Sequence, residues 1–117
     1  MTAPIYDLNN EAIIEQNSFW ELMLFYPGNV STSSFRGQIR RDFGGEVFAN
    51  FRFEVRPYDE DANKTPVRVF LSSAETTRIP IPESSQFWRY DIVMLVQGGD
   101  RRRVLQGKVY VSPGVTN

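Results

Sequence analysis

The chain has 117 residues, 41% of them hydrophobic and 14% aromatic, which is enough apolar surface for one core and too much for a disordered segment. It contains neither cysteine nor histidine, which excludes zinc fingers, disulfide frameworks, Cys-Cys redox motifs, histidine metal sites, Ser-His-Asp triads and cysteine nucleophiles. Thirteen basic and fourteen acidic residues leave a formal charge of −1, which argues against a general phosphate-binding surface.

The N-terminal segment Met1–Asn10 has no basic start, no apolar run and no core pattern of its own. It is not expected to be a signal peptide, but to form an extended arm over residues 1–12. Two placements of the arm are open. A neighbouring subunit holds it, or it packs back with Ile5 and Leu8 as anchors. Residues 13–117 are expected to form a single domain. No stretch reaches the roughly 20 apolar residues of a membrane helix.

Alternation of apolar and polar residues dominates the chain beyond the arm. Phe19 to Tyr26 is apolar on both sides except at Glu21, and reads as a central strand covered on both faces. Asn29 to Ser34, after Pro27-Gly28, is a polar loop. From Ser34 to Arg41, Phe35, Gly37 and Ile39 face one way and Arg36, Gln38 and Arg40 the other. Gly44-Gly45 marks a turn. Between Phe48 and Pro57, Ala49, Phe51, Phe53 and Val55 alternate with Asn50, Arg52, Glu54 and Arg56, as in a half-buried strand with one wet face. Val67, Val69 and Leu71 form another inward row, with Arg68 outside.

Ser72-Ser73-Ala74-Glu75 has the form of a capping box and predicts one or two helical turns, stopped before Pro80. Two long strands close the chain, Phe87 to Gln97 and Arg103 to Val111, joined by a hairpin at Gly98-Gly99-Asp100. Gly107, in the middle of the last strand, marks a close backbone approach or a bulge. Six or seven short strands with Gly/Pro turns point to an all-β chain. The expected architecture is an antiparallel immunoglobulin-like β-sandwich with one short helical turn and an extended N-terminal arm.

Several segments, in order, carry a resemblance. They are Ile14-Glu15-Gln16-Asn17-Ser18-Phe19, Phe35-Arg36-Gly37-Gln38-Ile39-Arg40, Val69-Phe70-Leu71-Ser72-Ser73-Ala74-Glu75-Thr76-Thr77, Tyr90-Asp91-Ile92, and the terminal run Arg103 to Thr116 with its Leu105-Gln106-Gly107 and Val115-Thr116. This order resembles small structural proteins of tailed bacteriophages, which stand alone or form the N-terminal domain of baseplate and tail-fibre proteins. Asn17-Ser18 departs from the glycine usual there. The resemblance implies a non-enzymatic virion protein made in the host cytoplasm. It would act through protein contacts as a baseplate or tail-fibre adaptor. A capsid-decorating clamp is the alternative, and a carbohydrate-binding module for the host surface is a more distant one.

Each candidate site competes with a plainer role. Asp59, Asp61 and Asn63 begin like a calcium loop, but Lys64 stands where glycine is needed and Phe70 where a bidentate glutamate is needed. A solvated hairpin tip is the better reading. Glu21, inside an apolar strand, is expected to pair with an arginine at an edge or interface rather than to catalyse. Asp91 can accept backbone N–H bonds or pair with an arginine near it. Trp20, Phe25, Tyr26, Phe87 and Trp88 suit a core better than a sugar platform, while Phe19 and Phe87 can serve as interface anchors.

All but two of the cations are arginine, a residue suited to interfaces, although genome composition produces the same bias. The run Arg101-Arg102-Arg103 and the pair Arg40-Arg41 read first as solvated turns and next as contacts with an acidic neighbouring subunit. The candidate partner contacts are therefore Ile5, Tyr6, Leu8, Arg40, Arg41, Arg101, Arg102 and Arg103. The expected partners are other virion proteins of the baseplate, tail fibre or capsid, together with further copies of the chain. No catalytic residue, cofactor, metal, nucleic acid or membrane is expected.

Overall fold

The computed structural model describes residues 4–42, 44–83, 86–96 and 98–113, apart from the side chain of Glu11. Met1 to Ala3 of the arm, Gln97 at the end of a predicted strand, and Gly114 to Thr116 of the terminal motif lie outside the described residues. The chain is all-β with one short helix. In order it forms β1 (Ile14–Glu15), β2 (Trp20–Pro27), β3 (Ser34–Arg40), β4 (Val47–Asn50), β5 (Arg52–Val55), β6 (Lys64–Leu71), α1 (Ser73–Thr77), β7 (Trp88–Leu95), β8 (Arg101–Val109) and β9 (Val111–Ser112).

Two antiparallel sheets result. One has three strands in the order β2-β6-β5, and the other has four in the order β4-β3-β7-β8. The short β1 and β9 pair in parallel. Trp20, Val67, Val69 and Leu71 from the first sheet and Phe35, Ile39, Tyr90, Ile92, Met94, Leu105 and Val109 from the second share one buried cluster. Burying each such aliphatic or aromatic side chain contributes about 1.5–3 kcal/mol, so this cluster is the main source of stability.

The alternation between Phe48 and Pro57 is real, but the expected single strand is two. β4 hydrogen-bonds to β3 in one sheet and β5 to β6 in the other. The chain changes sheets at Phe51, whose N–H donates to the Gly37 carbonyl at 2.9 Å. Its ring lies between the layers, with centroids 5.4 Å from Trp20 and 5.9 Å from Tyr90. Gly37 makes the corner possible, since a Cβ there would meet the Phe51 ring and the Asp91 carbonyl oxygen, each at 2.9 Å.

Phe19 to Tyr26 requires a correction. β2 lies at the edge of its sheet, not the centre, and Phe25 is 59% exposed. A strand that is apolar on both faces needs a covering layer on each. Nothing among the described residues covers the outer side of this one.

The capping box forms as expected. The Ser72 hydroxyl accepts from the Glu75 N–H at 3.2 Å, and the Glu75 carboxylate accepts from the Ser72 N–H at 2.9 Å. Arg52 lies 3.0 Å from the same carboxylate. Burial disfavours the charged form of Glu75, but the bonds to Ser72 and the Arg52 guanidinium outweigh it and hold the carboxyl below its ordinary range. The buried Thr76 hydroxyl donates to the Ser18 carbonyl at 2.8 Å, tying α1 to the start of β2.

The N-terminal arm packs on its own chain. Tyr6 N–H donates to the Gln106 carbonyl and Leu8 N–H to the Lys108 carbonyl, both at 2.8 Å, while Gln106 and Tyr110 N–H groups donate to Pro4 and Leu8 carbonyls. These bonds add the arm as a parallel strand on the free edge of β8. One bond of the ladder is rerouted. The Lys108 N–H bonds the Asp7 carboxylate at 3.0 Å, and the Tyr6 carbonyl instead accepts from the Tyr90 hydroxyl. Burial, together with the nearby Asp7 and Tyr6, pushes the Tyr90 phenol well above its ordinary value. Leu8 is fully buried, and both Leu8 and Ala12 belong to the common core.

Candidate functional site: a basic groove on the four-stranded sheet

On β7, burial alternates without a break. Trp88, Tyr90, Ile92 and Met94 point inward, so Arg89, Asp91, Val93 and Leu95 face outward. The register on either side then assembles rows across three strands. Arg36 of β3 stands opposite Val93, which stands opposite Arg103 of β8. Gln38, Asp91 and Gln106 form the next row, and Arg40, Arg89 and Lys108 the row after it. Arg101 closes the other end beside Leu95.

Along these rows runs an open groove of about 740 Å³, lined by Arg36, Arg40, Arg101 and Arg103 with Val93 and Leu95 between them. Asp91 is the single carboxylate among the described residues of this lining, so the groove is strongly positive on a chain whose formal charge is −1. Asp91 lies 3.8 Å from the Arg103 guanidinium, which is the arginine pairing expected for it. Gln38 links the floor by donating to Asn50 at 2.9 Å and accepting from Arg40. Arg40 is thereby aimed and not free to fold away. A smaller recess of about 230 Å³ continues the groove past Arg40, Arg89 and Asp42.

The predicted contact residues separate in this frame. Arg40, Arg101 and Arg103 meet in the groove. Arg102 stands opposite the buried Met94 and therefore falls on the other face of β8. Arg41 is also elsewhere, 3.6 Å from Glu46 and stacked over Phe48 and Trp88. Leu8 is not a partner contact, because its side chain is spent in the core of its own chain. Ile5 is 75% exposed, and Tyr6 is exposed while its backbone is held on β8. Of the two placements of the arm, the structure therefore has the one that packs back, with Leu8 rather than Ile5 as anchor.

Arg36, Arg89 and Lys108 were not among the expected contacts. Arg36 shares the outward parity of Arg40 in the sequence, which is the signal that points to it. Arg89 and Lys108 depend on the pairing of β3, β7 and β8, which parity does not reveal.

Other candidates resolve more simply. The Asp59 carboxylate accepts from the Asp61 and Ala62 N–H groups, and Tyr58 donates to Asn63, so this loop is a hairpin turn closed on itself. Among the described residues, no three acidic side chains gather as a metal site. Glu21 pairs with Arg68 at 3.1 Å on an edge strand, as expected. Trp20 and Trp88 are buried, with indole N–H groups donating to the Ala12 and Pro80 carbonyls. Compared with protein-family models and with curated proteins, the chain matches none.

Proposed function

We propose that this chain is a non-enzymatic structural protein of a tailed-phage virion. In this reading it folds as an immunoglobulin-like β-sandwich and works as a baseplate or tail-fibre adaptor. Its groove on the β4-β3-β7-β8 sheet receives an acidic segment of a neighbouring virion subunit. The observation that carries the contact is the convergence of Arg36, Arg40, Arg101 and Arg103 from two strands onto one face, around a floor that includes Val93 and Leu95. Such a surface suits an extended segment with carboxylates at its sides and small apolar groups below. The order of the sequence motifs along the chain supports the virion assignment, and the two facing antiparallel sheets suit a rigid adaptor.

The assignment is tested by labelling the protein on intact particles. Label at the tail tip is expected, whereas label over the shell would replace the adaptor with a capsid-decorating role. The groove is tested with a glutamate-rich peptide and a single-stranded oligonucleotide of equal charge. Binding of the peptide in preference to the oligonucleotide is expected. The reverse preference would overturn the protein-contact reading.

A further inference from the structure

We propose that two copies of this chain join through β2, antiparallel across a two-fold axis, and fuse their three-stranded sheets into one of six strands. This inference does not depend on the virion assignment. It starts from the four sheet edges. The edge of β8 is covered by the arm from Gln106 onward, and its remainder carries three arginines and a bulge before Leu105; the edges of β4 and β5 are only four residues long. β2 is eight residues long, and its only strand partner among the described residues is β6. Its pairing with β6 contains no bulge, and it has no basic residue, no inward charge and no proline before its last position. Long edges without these devices recruit another strand.

Charge and side-chain pattern identify the occupant. The only charge on β2 is Glu21, and Arg68 of the neighbouring strand neutralises it. Arg68 also lies over the Phe70 ring at 4.4 Å and the Phe19 ring at 5.4 Å, so the outer face beside the edge is apolar and balanced in charge. A second copy therefore meets no net charge here, whereas two basic grooves would repel. Placing Leu22 opposite Leu22 makes the strand complementary to itself. Phe19 of each copy then faces Phe25 of the other, Trp20 faces Leu24, and Glu21 faces Met23 rather than its own counterpart. Phe19 and Phe25 are 52% and 59% exposed in the single chain, and cross-strand aromatic pairs stabilise such ladders. Pairing at this edge leaves the outer face of each four-stranded sheet open, so the dimer presents two grooves.

The test is sedimentation of the whole chain over a concentration series. A mass of two chains is expected, falling to one chain for Phe25→Lys with its circular dichroism spectrum unchanged and its melting temperature no longer rising with concentration. The register is read separately. The chain has no cysteine. Opposed residues in an antiparallel pair stand about 4.5–5.5 Å apart between Cα atoms, within disulfide reach. An oxidised mixture of F19C and F25C chains should therefore yield a covalent dimer that neither yields alone. A monomer at every concentration, or a dimer unaffected by Phe25→Lys, would overturn the proposal. So would cross-linking of F19C with itself at the expense of the mixed pair.

Discussion

A Cβ on Gly107 would stand 2.8 Å from the carbonyl carbon of Tyr6 and closer still to its oxygen. Gly107 lies opposite Tyr90 in the β7–β8 register, and the Tyr6 carbonyl accepts from the Tyr90 hydroxyl. The absence of a side chain on β8 therefore lets the arm sit close enough to bond a residue one strand further in. The obstruction is backbone, which cannot rotate aside as a side-chain tip would. Gly107→Ala is expected to displace the arm and cost about 1–3 kcal/mol, the range for overpacking. Loss of hydrogen-exchange protection at the Tyr6 and Leu8 amides, with protection in β3 and β7 retained, is the signature to measure.

Deleting residues 1–10 goes further than removing a tether. It takes Leu8 out of the core and bares the β8 edge. Replacing a buried leucine by alanine alone costs about 2–5 kcal/mol. The truncated chain should melt well below the intact one and aggregate on warming. A stable, soluble core after truncation would show that the arm is an accessory to the fold.

Much of this architecture was legible in the residues, and the exceptions share a cause. Alternation located the inward rows around Phe35, Val67 and Tyr90 because the pleat has a period of two whatever the sheet. It could not see that Phe51 turns the chain from one sheet to the other, since both halves keep the same parity through the corner. Nor could it tell an edge from a centre at β2, because sequence records side chains and not neighbours. Gly107 was recognisable as a close approach, yet the partner backbone at Tyr6 is about a hundred positions away in sequence. The groove was half visible. Arg36 and Arg40 share a parity, but their meeting with Arg101 and Arg103 requires β7 to stand between β3 and β8.

Tyr90→Phe isolates the hydroxyl. The Tyr6 carbonyl loses its donor near the core, which costs about 1–3 kcal/mol. The wild type should also show an alkaline limit that the variant lacks. A phenol whose folded value is raised contributes stability that is full below its unfolded value of about 10 and is lost as pH rises through the folded one. Denaturant melts between neutral pH and pH values above about 10 should therefore converge for the two proteins.

Glu75 has the opposite sign. Its carboxyl is held below its ordinary value, so its contribution is full above the unfolded value of about 4.3 and is lost as pH falls through the lower folded one. Glu75→Ala should cost about 1 kcal/mol at neutral pH, the usual worth of a cap, and less in acid. Glu75→Gln keeps the bond to the Ser72 N–H and loses only the half-exposed pair with Arg52, so a cost of a few tenths of a kcal/mol is expected. Urea melts of the three proteins across the acid range separate bond from charge.

The pleat also divides a run that looks uniform. Arg101, Arg102 and Arg103 are adjacent, but only the outer two line the groove. Charge reversal is therefore expected to act by face and not by position. Arg36→Glu with Arg103→Glu removes two cations from opposite sides of Val93 and adds two anions where an acidic segment is to lie. Arg102→Glu changes the same run by the same chemistry on the other face. All these sites are exposed, so stability should move by no more than about 0.5 kcal/mol for Arg36→Glu and Arg102→Glu, and by about 1 kcal/mol for Arg103→Glu, which loses its exposed pair with Asp91. Binding of a glutamate-rich peptide should be lost in the double variant, retained in Arg102→Glu, and weakened by salt in the wild type, because exposed charges are screened over about 10 Å at 0.1 M. A substantial loss of binding in Arg102→Glu as well would mean that net charge, not the groove, attracts the partner.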